Sequence, residues 1–178
     1  LYARGSDPII QSTAMHSLRL FRESLPAIPD DSAAMDRAVV GIILAQFRRR
    51  ISVIHAFGHG VSRHYPVHQG DVHAILAPHV LRYLFEHVDA NRRLLAEGFG
   101  IDASSLSDDQ LGEAIIDEVV AVRDGLGLPS RLRDLESVPK EAFPAIEEQT
   151  LGDGKMTQAP EGLDPTVDEL EAVLRAAW

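Results

Sequence analysis

Apolar residues recur along most of this chain at the three- and four-residue spacing of an amphipathic α-helix. The first such segment opens with Asp7 and Pro8, a typical helix cap followed by proline at the first helical position. Its apolar residues are Ile10, Ala14, Leu18 and Phe21. All four would lie along one helical face, so the pattern predicts a helix that ends near Leu25, before Pro26 and Pro29.

The second segment also predicts a helix, but its apolar residues would lie on almost every side of that helix. Asp31 or Ser32 would cap this helix. The apolar residues on one side are Met35, Val39, Ile42, Ile43 and Phe47, and those on the other are Val40 and Leu44. A helix that is hydrophobic all round is usually buried, so we expect this one to lie in the core. The arginines at 48–50 would then interact favourably with the negative end of the helix dipole.

Further segments show the same helical period. Residues 51–62 predict one helix, and Ser107 opens another that would end at Gly125. Between them, Asp71 would cap a helix that bends or restarts at Pro78, where proline removes a backbone hydrogen bond. No stretch alternates long enough to predict a strand. The chain is therefore predicted to be all-α, a single multi-helix domain over residues 1–178.

Composition and charge restrict the partners of this domain. The chain has 178 residues, 45% of them hydrophobic, and a formal net charge of -10. This charge would repel nucleic acid and anionic lipid, so we expect neither nucleic acid nor a membrane as a partner. The longest apolar run is far shorter than the roughly 20 residues that span a bilayer. Cysteine is absent, which excludes disulfides and thiolate ligands, and we expect a cytoplasmic protein.

Histidines are concentrated in the segment "HAFGHGVSRHYPVHQGDVH", which starts at His55 and holds five of the eight in the chain. His55 and His59 are four residues apart, so on a helix their rings would lie on one face. The other three, which lie in or beside a turn that could fold back across the helix end, are His64, His68 and His73. Neutral imidazoles can bind a divalent metal ion or exchange a proton. The alternative is that each histidine is a surface or hydrogen-bonded structural residue.

The longer segment "HAFGHGVSRHYPVHQGDVHAILAPHVLRY" resembles the signature of the iron-containing alcohol dehydrogenase family. In that signature H-x-x-x-H is followed by a P-H-G turn and then by A-x-L-L-P-x-V. The residues that match the tail without a gap are Ala74, Leu76, Pro78 and Val80. The segments "DPIIQSTAMHSLRLF", "GLGLPSRLRDL" and "GLDPTVDELEAVL" resemble other helices of the family's C-terminal domain. The resemblance implies the helical half of the dehydroquinate synthase-like architecture, without its nucleotide-binding α/β domain.

The resemblance also implies roles for single residues. In the family a divalent ion, iron or zinc, polarises the substrate oxygen for hydride transfer with NAD or NADP. His55 matches a metal ligand, and His59 matches a histidine that can relay a proton. The last ligand position falls on Gln69, a poor ligand for iron or zinc, with His68 beside it. The remaining Asp and His ligands would lie just before Leu1, so this chain would supply at most half of the ligands. We expect a separate N-terminal domain to bind most of the nucleotide.

The residue at position 73 suggests a second comparison. Alcohol dehydrogenases usually have Asn there, whereas maleylacetate reductases, relatives that need not depend on a metal, have the His-Ala pair found here. We expect His73 to line the substrate pocket. The resemblance implies an NAD(P)-dependent oxidoreductase that interconverts a small alcohol and a carbonyl compound, forms a homo-oligomer and is inactive as this chain alone. Two alternatives stay open: a metal-independent reductase like the maleylacetate reductases, and a non-enzymatic helical module for metal binding or assembly.

Overall fold

Eight α-helices make up most of the computed structural model, which describes residues 1–28, 30–47 and 50–178. They are α1 (Pro8–Ser24), α2 (Ser32–Gln46), α3 (Val53–Ser62), α4 (Gln69–His87), α5 (Arg92–Phe99), α6 (Asp108–Gly125), α7 (Phe143–Leu151) and α8 (Val167–Ala176). Short 3-10 helices lie at Leu25–Ala27, Leu132–Asp134, Lys140–Ala142 and Gly154–Gln158. No strand occurs within the described ranges, and the prediction of an all-α fold is confirmed.

Side-chain caps begin several of the helices where the sequence predicts. Asp7 accepts hydrogen bonds from the backbone N–H groups of Ile9 and Ile10, both at 3.0 Å, at the start of α1. Ser107 and Gln110 form a capping box at the start of α6, in which each side chain accepts a hydrogen bond from the other residue's backbone N–H. These local contacts satisfy N–H groups that have no partner within the helix.

α4 differs from the sequence prediction at its start and in its middle. It begins at Gln69, with His68 as the capping residue, rather than after Asp71. Asp71 lies in the first turn, where its negative charge suits the positive end of the helix dipole. The helix also continues through Pro78 to His87 without restarting. Buried apolar residues on both sides of the proline offset the one hydrogen bond that its ring removes.

The hydrophobic core consists of two clusters that share α4. One lies between α3, α4, α7 and α8 and includes the fully buried Phe57, Leu84 and Leu174. The other joins α4 to α5 and α6, through contacts that include Leu81 and Leu111. Because α3 packs on the first cluster with α4 and α7, the histidines of α3 lie at a packed contact between helices.

α2 is not buried, so that prediction is wrong. The helix packs on α1 through its small residues, which are Ala34, Ala38 and Gly41. Its large residues face outward: Ile43 is 63% exposed and Phe47 is 54% exposed. Met35, Val39, Val40 and Ile42 are exposed as well. In the described parts of the chain no helix covers this face. An apolar pattern shows that a face can be buried, but which element covers it depends on the tertiary structure.

Three residues used in the predictions lie outside the described ranges. They are Pro29, predicted to help end α1, and Arg48 and Arg49, predicted to follow α2. α1 itself ends at Ser24, one residue before the predicted end, and continues as a single 3-10 turn.

Among the described helices, none has both the length and the apolar character needed to cross a membrane.

Candidate functional site

The candidate site lies where α3 packs against α4. His55 and His59 are one helical turn apart on α3, as their spacing predicts. The ring of His73, from α4, lies beside that of His55, with the ring centroids 4.6 Å apart and the planes tilted by 53°. Residues from both ends of the histidine-rich segment therefore meet at one contact between helices.

Gly58 makes this close contact possible. A β-carbon at this position of α3 would lie 2.1 Å from Nε2 of His73, far inside van der Waals contact. The edge of the His73 ring therefore packs directly on the α3 backbone. Nε2 is buried there, and no described residue forms a hydrogen bond with it.

Burial gives His73 unusual acid–base properties. Desolvation, together with the smaller effects of repulsion from His55 and His59, lowers the pKa of His73 to about 4. At neutral pH this imidazole is therefore uncharged. It adds no positive charge to the contact between α3 and α4.

A buried carboxylate, Asp153, binds the second histidine of α3. Its Oδ2 atom lies 2.9 Å from Nδ1 of His59 and 3.2 Å from the guanidinium of Arg63, and its side chain is 3% exposed. The Oδ1 atom accepts a hydrogen bond of 2.8 Å from the backbone N–H of Lys155. Burial raises the pKa of Asp153, but these hydrogen bonds and positive groups outweigh burial and hold the pKa below its usual range. Asp153 is therefore an ionised carboxylate beside His59.

α7 brings Asp153 to this position. α7 packs on α3, and Gly60 lies so close to Thr150 and Ile146 that a larger residue would meet both. Asp153 follows α7 directly and caps the 3-10 helix Gly154–Gln158. The sequence analysis did not single out Asp153, which is 94 positions from His59. Its one local signal is an Asp-Gly pair, which predicts a turn and not a partner.

The two predicted residues at the start of α4 have different surroundings. The side chain of His68 is 81% exposed, and its Nδ1 lies 3.6 Å from Oδ1 of Asp71. Gln69 is one turn before His73 on α4, so these two side chains share a helical face. Helical spacing therefore puts Gln69 on the same face of α4 as His73, whereas the His68 side chain is largely in solvent.

The described residues do not by themselves fit a complete metal site. Within them, no group of three or more His, Asp or Glu side chains lies close enough to hold an ion. Nε2 of His73 points at the α3 backbone, and Gln69 offers only a neutral amide oxygen. A metal ion bound at His55 would need ligands from outside the described residues.

Similarity to a known protein family extends over the whole chain. The family described as "Fe-containing alcohol dehydrogenase family, C-terminal" matches residues 1–178. The 1,3-propanediol dehydrogenase of Klebsiella pneumoniae is 26% identical over 182 residues, which cover 99% of this chain and 46% of that protein. The lactaldehyde reductase of Escherichia coli strain K12 is 27% identical over 128 residues, 72% of this chain and 33% of that protein. The chain thus spans less than half the length of these relatives.

Solved structures agree with the family match. A crystal structure of a 1,3-propanediol oxidoreductase superposes with a TM-score of 0.90 at 26% identity, covering 99% of this chain and 47% of that one. A maleylacetate reductase from Agrobacterium tumefaciens has a TM-score of 0.77 at 23% identity over 99% of this chain and 47% of its own, which shows a shared fold. The resemblance predicted from the histidine segment is confirmed: this chain belongs to the Fe-containing alcohol dehydrogenase family, of which it carries the C-terminal domain.

Proposed function

We propose that this chain is the helical part of an NAD(P)-dependent oxidoreductase that interconverts an alcohol and a carbonyl compound. The observation that carries the proposal is the meeting of His55, His59 and His73 at the contact between α3 and α4, with a buried carboxylate on His59. The family match supports the reaction class, and so do the relatives' names, lactaldehyde reductase and 1,3-propanediol dehydrogenase.

His59 is the group that we assign to proton transfer. Oxidation of an alcohol to a carbonyl compound removes a hydride, which a bound nicotinamide accepts, and releases the hydroxyl proton. Nδ1 of His59 is engaged by Asp153, which leaves Nε2 to take up that proton. The side chain of His59 is 24% exposed, so this ring can be reached from solvent.

His73 is proposed to line the substrate pocket. Its lowered pKa keeps the ring neutral at physiological pH, which suits an uncharged alcohol or carbonyl group better than a cation would. Its contact with the ring of His55 also orients the imidazole of that residue. The pocket would therefore combine one neutral histidine with one that handles a proton.

His55 is proposed to supply one ligand to a divalent ion, iron or zinc. Gln69 is favoured over His68 for the neighbouring ligand position because it shares a helical face with His73. The Asp and His ligands would come from the sequence just before Leu1, and most of the NAD or NADP site would come from an N-terminal domain outside this chain. The described residues do not complete a metal site by themselves, so the ion would depend on these outside ligands. Assembly into a homo-oligomer stays a prediction.

The reaction is tested on this chain joined to its upstream coding sequence. We expect the protein to reduce NAD or NADP with small alcohols and diols, and to oxidise the reduced cofactor with the matching aldehydes. His59→Ala should lower kcat about 100-fold, because a positioned acid or base contributes that much. His64→Ala, which removes an exposed histidine in the turn just after α3, is the matched control and should keep the wild-type kcat. An intact protein without turnover, or with equal kcat in His59→Ala, would contradict the proposal.

The metal is tested by elemental analysis of the same protein. We expect the wild type to hold a divalent ion, His55→Ala to lose it, and His68→Ala to keep it because that side chain points into solvent. Loss of the ion in His68→Ala would shift the ligand assignment by one residue. An active protein without bound metal would favour the metal-independent reductase. A metal-binding protein without turnover would favour the non-enzymatic module.

A further inference from the structure

We propose that Asp153, together with Arg63, is a positioning residue that holds His59 in the tautomer protonated at Nδ1 and so leaves Nε2 as the proton acceptor. The tautomer is a property of the folded chain. Its consequence for turnover rests on the proposed function.

The two oxygens of Asp153 have different partners. Oδ1 accepts the backbone N–H of Lys155 at 2.8 Å, and this contact anchors the carboxylate. Oδ2 lies 2.9 Å from Nδ1 of His59. An ionised carboxylate can only accept hydrogen bonds, so a neutral His59 must carry its proton on Nδ1 to bond with it. The lone pair that remains is on Nε2.

Arg63 holds the carboxylate from the same helix. It follows His59 by one turn at the end of α3, and its guanidinium lies 3.2 Å from the same Oδ2 atom. The Arg63 side chain is 51% exposed, so solvent screens much of its contribution to stability. Its effect is mainly to favour the ionised form of a carboxylate that is itself 3% exposed.

A purely structural role would be that Asp153 only ties the end of α7 to α3. Such a role predicts lost stability in a variant but no change in the histidine tautomer. Positioning predicts a change in tautomer even where the fold is kept. The test therefore needs a direct measurement of the His59 ring nitrogens.

The variant that separates the two roles is Asp153→Asn. The partly buried N–H of Lys155 needs an acceptor, so the amide oxygen of the new side chain takes the place of Oδ1. The amide NH2 then replaces Oδ2 and donates to Nδ1 of His59, which moves the imidazole proton to Nε2. Asp31→Asn is the matched control. Like Asp153, Asp31 caps a helix and accepts a hydrogen bond, of 2.9 Å, from the backbone N–H two positions further on. It also pairs with an arginine, Arg37, at 3.1 Å. Unlike Asp153, it has no histidine partner among the described residues.

The readout is the 15N NMR spectrum of His59 in the full-length protein, with circular dichroism to confirm folding. We expect the Nδ1–H tautomer in the wild type and in Asp31→Asn, and the Nε2–H tautomer in Asp153→Asn. We also expect Asp153→Asn to lower kcat about 10- to 100-fold, the cost of a lost orienting partner, while KM is unchanged. An unchanged tautomer in folded Asp153→Asn overturns the proposal. If the wild type has no dehydrogenase activity, the proposed function fails, yet the spectra still decide the role of Asp153.

Discussion

At the scale of single residues, a few atoms determine how the histidines meet. The spacing of His55 and His59 is a local property, and it predicts their shared helical face correctly. The contact between His55 and His73 requires α3 and α4 to approach closely, and Gly58 is the residue that permits this. Gly58, which has no side chain, is thus as important to the site as the imidazoles.

Gly58→Ala tests this close approach. The new methyl group would overlap the ring of His73, so we expect a loss of about 1–3 kcal/mol in the free energy of unfolding. The better helix propensity of alanine would offset about 1 kcal/mol of this loss. Chemical denaturation of the chain measures the difference. Gly154→Ala, where a β-carbon would meet no atom within 4 Å, is the control. A Gly58→Ala variant as stable as the wild type would show that His73 can move away without cost.

At the scale of helices, capping residues and hydrophobic period predict the elements well. α1 and α6 begin at the predicted caps because a cap is a contact between residues two or three positions apart. The start of α4 is mispredicted because Asp71, the predicted cap, lies in the first turn of the helix and His68 occupies the cap position. α3 has Ser52 at its cap position, yet the Oγ atom of Ser52 is buried and no described residue bonds to it.

Ser107→Ala and Ser52→Ala separate a cap that forms a hydrogen bond from one that does not. Ser107 accepts the N–H of Gln110 at 3.3 Å, so its replacement should cost about 1 kcal/mol of unfolding free energy. Ser52→Ala removes a buried hydroxyl with no partner among the described residues and should cost nothing measurable. Thermal or urea unfolding of both variants gives the comparison. Equal losses would mean that the Ser52 hydroxyl is paired in solution.

At the scale of the whole molecule, α4 links the two hydrophobic clusters and carries a second partly buried histidine. Desolvation lowers the pKa of His79, and the positive charges of Arg123 on α6 and Arg82 on α4 lower it further. The folded chain therefore binds a proton at His79 less readily than the unfolded chain does, at a place where α4 and α6 meet. This couples the stability of the domain to pH.

The sign of that pH dependence follows from the lowered pKa. Below the ordinary pKa of 6.5, the unfolded chain binds a proton at His79 that the folded chain does not yet bind. The stability contributed by neutral His79 is thus present above pH 6.5 and is lost as the pH falls. Urea unfolding at several pH values should show that the free energy of unfolding declines less steeply towards low pH for His79→Gln than for the wild type. Parallel profiles for wild type and His79→Gln would contradict this prediction.

The sequence by itself determined what depends on neighbours along the chain. Helical period established the all-α class, caps located several helix ends, and the spacing of His55 and His59 placed two candidate groups on one face. The order of motifs around them was enough to recognise the family. Each of these features is encoded within a few turns of helix, so it can be read without a structure.

Only the tertiary structure decided which distant surfaces meet. It left the apolar face of α2 uncovered within the described residues, although that pattern predicts burial. It brought His73 against His55, and it placed Asp153 beside His59 across 94 positions of sequence. The physical reason is the same in each case. Burial and long-range hydrogen bonds depend on how whole helices pack, and local residue patterns do not specify that packing.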